Sequence, residues 1–238
     1  METRVDLRFA HEHPFNGIDY AAVALHMHAH GFHVGVLHRE SSGDVKCLHL
    51  EWHLILSNDV PVEMQAWIQP PYPKRRLRSI AAYCRRLWNN KSTHGIKYGF
   101  RYVDSKYVDL PRTTSDKDKN VGKLLLGPTE HGFTCATFVL VLFRAAGVEL
   151  VDVFAWPSRD VDRTWQERMI SSLRRHRSPE GSNEDLENHL RLLESEIGCA
   201  RFRPEEVAAA ASRDEYPVHH ETAWKLGNHI ASTLRATA

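Results

Sequence analysis

The chain has 238 residues, enough for one large domain or one domain with an extension, and its 42% hydrophobic and 26% charged residues are ordinary for a globular protein. A net charge of +1 argues against a general polyanion-binding surface, so no nucleic-acid partner is expected. No apolar run approaches the roughly 18 residues of a membrane span, the start Met-Glu-Thr-Arg-Val-Asp lacks the basic and apolar regions of a secretory signal, and Cys47, Cys84, Cys135 and Cys199 are far apart; together these read as a cytoplasmic protein with reduced thiols.

In chain order, the Ala-rich stretch from Ile18 to Gly31 predicts a helix that Gly31 ends. Phe32 to Arg39 and Val45 to His53 read as strands joined through Ser41-Ser42-Gly43-Asp44, a hairpin. In the second strand Leu48, Leu50 and Trp52 share one face, and Cys47, His49, Glu51 and His53 the other. The parity lets His33 and His49 meet, opposite or diagonal, and a one-residue slip would separate them. Lys74 to Asn90 reads as a helix with Leu77, Ile80, Ala81, Cys84 and Leu87 on its apolar side and six basic residues on the other, a solvated face. Ile96 to Val103 is a short aromatic strand or turn, and Arg112 to Lys123 an exposed loop.

The segment Gly132 to Phe143 predicts a buried helix, since from Ala136 onward its only polar residue is Thr137. Thr134 suits the N-cap and Gly147 the stop. Cys135 then sits in the first turn, where free N–H groups and the helix dipole should lower its thiol pKa. Val148 to Trp156 reads as a strand stopped by Pro157. Helices are expected over Trp165–Arg177, Glu184–Ile197, Pro204–Ser212 and Glu221–Leu234, with a linker from Ser178 to Asn183. The organisation expected is α+β, with residues 1–162 as one domain and 163–238 as a helical C-terminal extension whose Leu186, Leu190, Leu193 and Ile197 could pack within the chain or form a homo-oligomer.

His33-Val34-Gly35 on one strand, Leu48-His49-Leu50 on the next, and a later cysteine opening a hydrophobic helix resemble the circularly permuted papain-like enzymes, namely permuted NlpC-type hydrolases and lecithin–retinol acyltransferase-like proteins. Lys97-Tyr98-Gly99 and Trp156-Pro157-Ser158-Arg159-Asp160 resemble lesser motifs of that group. The resemblance implies a permuted papain-like fold, an antiparallel sheet packed on a central cysteine-bearing helix. It also implies Cys135 as nucleophile, His33 as base and His49 as the orienting residue, with Glu51 or His53 as other candidates for that third place and Tyr98 as an oxyanion donor. The substrate would be a peptide, amide or acyl compound, and no cofactor or metal is implied. The sequence lacks the Asn-Cys-Glu-His element of the acyltransferase branch, which favours amide or peptide hydrolysis over lipid acyl transfer, with an acyltransferase or deamidase on the same triad as the alternative. Two other readings are a non-catalytic interaction module and a His-rich metal-binding protein. For the latter, His26 and His30 would share a helix face while His28 points away.

Overall fold

The computed structural model of the chain describes residues 5–28, 31–89, 96–102, 132–175 and 183–237. The polar stretch from 112 to 123, residues 178–182 of the expected linker and His30 lie outside them. The strands are β1 (Arg8–Phe9), β2 (Ala21–His28), β3 (Gly31–Arg39), β4 (Val45–Trp52), β5 (Ile55–Asp59) and β6 (Ala66–Ile68). They form one six-stranded antiparallel sheet in the order β1-β6-β2-β3-β4-β5. The described helices are α1 (Lys74–Asn89), α2 (Cys135–Ala145), α3 (Asp160–Arg175), α4 (Asn183–Ser195), α5 (Pro204–Ala211) and α6 (His220–Ala236). The α+β class is therefore as the sequence implied. None of the helices is long and apolar enough to cross a membrane, among the described residues.

Two expected elements are corrected. The Ala-rich stretch is the central strand β2, not a helix. Ala21, Val23 and Leu25 enter the main core, while Ala22 and Ala24 enter a second cluster on the other sheet face. A strand buried on both faces is apolar throughout, so it loses the alternation that would have revealed it. The strand expected from Val148 to Trp156 is reduced to a single parallel bridge between Val151 and Val218. Pro217 precedes that partner and has no N–H to extend the ladder, and α6 starts just beyond it.

The main core packs one face of the sheet, through Val34, Val36, Leu48 and Leu50, against Phe138, Val139 and Leu142 of α2 and the Ala208–Ala211 run of α5. This cluster runs across position 162, which itself lies inside α3. Leu190 and Leu193 of α4 are also occupied within the chain, packed with Ile170, Leu173, Tyr98 and Phe100. On α1, Arg76 bonds the Ala146 carbonyl, Arg85 the Arg39 carbonyl at 2.6 Å and Arg78 the Tyr20 hydroxyl at 2.5 Å. Those three arginines hold neighbouring chain segments.

Candidate active site

Cys135 opens α2 as the sequence indicated. The N-cap is Thr134, whose hydroxyl accepts the Thr137 N–H at 3.1 Å, while the Thr137 hydroxyl accepts the Thr134 N–H at 2.8 Å. This reciprocal capping box fixes where the helix starts. The approach to it is equally constrained. Phe133 donates its N–H to the Lys97 carbonyl at 3.0 Å, and a Cβ on Gly132 would lie 1.9 Å from that same oxygen. Only glycine allows the two backbones to touch, and their contact sets Lys97-Tyr98-Gly99 beside the cysteine.

Tyr98 is held through its backbone. His53 Nδ1 accepts its N–H at 3.1 Å, and His189 Nε2 bonds its carbonyl at 2.7 Å. His53 thus serves as a clamp on Tyr98. The Tyr98 hydroxyl contacts Met169 Sδ at 3.6 Å, a weak acceptor that leaves the group able to donate elsewhere.

His33 and His49 do meet: His33 Nε2 lies 2.8 Å from His49 Nδ1, with the rings edge to face. The register that pairs Val36 with Leu48 sets His49 across from Gly35, so it reaches His33 diagonally. Gly35 makes this approach available, because a Cβ there would lie 2.7 Å from Cys47 Sγ and 2.9 Å from His49 Cβ. His33 Nδ1 makes no hydrogen bond among the described residues. Glu51 is engaged elsewhere, accepting from Ser57 Oγ at 2.6 Å.

The sheet, however, stands between these imidazoles and the thiol. Val34 and Val36 face the main core with α2, whereas Leu37 and Cys47 belong to the outer cluster. By alternation His33, Gly35 and His49 lie on that outer face. No hydrogen bond joins Cys135 to His33 among the described residues. Instead the backbone N–H groups of Val34 and Ala136 act on the sulfur in favour of its charged form. The β3–β4 ladder stops at the Val36–Leu48 pair. A cavity of about 440 Å³ is lined by Cys135, His33, His49, Tyr98, Trp165 and Arg201, among others.

The electrostatics correct a further expectation. Burial pushes the Cys135 thiol up to about 11, and the Val34 and Ala136 N–H groups and Arg201 offset only part of that. The helix terminus therefore does not make a thiolate at neutral pH. Burial likewise lowers His33 and His49 to about 4, although Glu51 and Glu63 oppose it. The resting site at pH 7 is a neutral thiol and a neutral histidine pair.

The strand geometry of β2 also rearranges the other histidines. His26 stands opposite His33, and its ring stacks on that of His28 at 6.1 Å. His26 Nδ1 is buried without a hydrogen-bond partner. Even so, no group of three or more His, Cys, Asp or Glu is placed to hold a metal ion, among the described residues.

Arg201, Trp165 and Met169 were not singled out from the sequence as site residues. They come from the C-terminal helices and the α4–α5 connection, and no short motif marks them. Compared with models of protein families, with curated proteins and with solved structures, the chain matches none.

Proposed function

We propose that the protein is a thiol-dependent hydrolase of amide or peptide bonds on a permuted papain-like arrangement, with Cys135 as nucleophile, His33 as base and His49 orienting His33. The observation that carries this reading is one cavity lined both by a cysteine at a capped helix start and by a hydrogen-bonded histidine pair. Cys135 Sγ attacks the acyl carbon, its proton passes to His33, and the proton is returned to the leaving amine as the C–N bond breaks. Water then cleaves the thioester. The His33–His49 bond leaves His33 Nδ1 as the proton acceptor, and the Tyr98 hydroxyl is the side-chain donor for the oxyanion. Because no hydrogen bond joins His33 to the sulfur among the described residues, proton transfer runs through a bridging water in the shared cavity or a side-chain rotation that brings the two together.

A competing reading is a binding cavity without chemistry. The thiol near 11 and the lack of a hydrogen bond from it to His33 among the described residues favour that reading. Fluorogenic amino-acid and acyl amides distinguish the two. Under the hydrolase reading, Cys135→Ala loses turnover by at least about 100-fold and His33→Ala by about 100-fold or more, with the fold retained by circular dichroism. Turnover that survives Cys135→Ala contradicts it.

A further inference from the structure

Asp162, which is buried, is the hub of an arginine cluster. Its Oδ2 accepts from Arg159 Nε at 2.8 Å, and its Oδ1 accepts from Arg203 Nη2 at 2.9 Å and Arg201 Nη1 at 3.2 Å. Arg159 has a second carboxylate, since both Glu206 oxygens bond its guanidinium, while Glu206 Oε2 also accepts the Arg203 backbone N–H at 3.2 Å. Arg203 and Arg201 are left to share one oxygen. Arg203 takes the larger share, through both Nε and Nη2. Glu205 lies near enough to act on both electrostatically but gives neither of them a hydrogen bond among the described residues.

Arg201 is therefore the undercompensated member, and it is the one that lines the cavity with Cys135. Its plane is fixed. The guanidinium carbon sits 3.5 Å from the Trp165 ring centre, one Nη1 hydrogen is tied to Asp162, and its backbone carbonyl is bonded by Trp156 Nε1 at 3.1 Å and Arg159 Nη2 at 2.8 Å. The Trp156-to-Asp160 motif of the sequence thus acts on Arg201. The guanidinium's Nε and Nη2 make no hydrogen bond among the described residues. That edge presents parallel N–H donors spaced for two carboxylate oxygens. Glu51 and Glu63 line the same cavity.

We infer that Arg201 is a carboxylate-binding residue, so that the cavity takes a ligand with a free carboxylate, such as an N-acyl amino acid or the C-terminal residue of a peptide. As a statement about substrate it rests on the hydrolase reading, but carboxylate binding itself needs no reaction at Cys135.

Calorimetric titration of the full chain with hippurate and with its uncharged amide, hippuramide, tests this. Hippurate should bind at least about tenfold more tightly than hippuramide, because a hydrogen-bonded charge contributes roughly 1.5–3 kcal/mol, or about 10- to 150-fold. Arg201→Gln should remove that preference, Arg201→Lys should keep part of it, and Cys135→Ala should leave it intact. Equal binding of the two probes to the parent protein, or no detectable hippurate binding at millimolar concentration, overturns the inference without relying on any variant. An Arg201-dependent preference for hippurate in a protein whose amide turnover survives Cys135→Ala supports the carboxylate site and rejects the thiol hydrolase.

Discussion

The two faces of β3 are built for different tasks. On the inner face the cysteine helix is locked by packing: Phe138 and Val139 are fully buried, and the capping box fixes the first turn. On the outer face, near the same end of the strand, His33 and His49 are held by one hydrogen bond and by the space Gly35 leaves. One side thus holds a thiol by apolar packing, and the other holds a neutral imidazole pair by polar contact. What joins them is the cavity that both line. Two groups of complementary chemistry can share a cavity without sharing a sheet face, and their resting protonation then reflects burial rather than mutual charge.

The largest effect should come from breaking the inner face. Phe138→Ala removes a fully buried ring from the main core and should cost about 3–5 kcal/mol in urea unfolding. Gly35→Ala disturbs the outer face instead. Its new Cβ would meet atoms of Cys47 and His49 at 2.7 and 2.9 Å, which should cost about 1–3 kcal/mol and displace His49 from His33. An NMR titration of the two rings would show that displacement, and unchanged ring shifts would contradict the role given to Gly35.

Over one pH unit, the effect expected from any single buried imidazole is smaller. His33, His49 and His53 are held near 4 by burial, so below about 6.5 the unfolded chain takes up protons that the folded chain refuses. Stability should be flat from about pH 6.5 to about pH 8, where the buried thiols begin to matter, and decline as pH falls toward 4, by on the order of 1 kcal/mol per pH unit for each such histidine. His53→Gln should flatten part of this slope in a pH series of urea melts; an unaltered slope would contradict the burial of His53 as its cause.

The hairpin, the His33–His49 contact and the capped start of α2 were legible because each depends on local rules: alternation along a strand, turn residues and a threonine before an apolar run. The β2 strand was not, because alanines buried on both faces look helical in isolation. The thiol pKa was misjudged for a related reason. A helix N-terminus is visible in sequence, but the burial that outweighs it depends on what packs over the cysteine. Arg201 was illegible because its significance is a charge imbalance among Arg159, Arg203, Asp162 and Glu206, residues spread from 159 to 206 and brought together only by the fold. The separation of His33 from Cys135 was hidden too, since chain order says nothing about which sheet face a later helix will cover.

The most direct test of the thiol–imidazole chemistry is acyl-enzyme trapping with p-nitrophenyl acetate near neutral pH, read by peptide mass spectrometry in the parent, Cys135→Ala and His33→Ala proteins. The expected result is rapid acetylation of Cys135, ahead of Cys47, Cys84 and Cys199, that vanishes in Cys135→Ala and slows by about 100-fold or more in His33→Ala. Acetylation of Cys135 at the same rate with and without His33, or none at Cys135 until the protein unfolds, would contradict it.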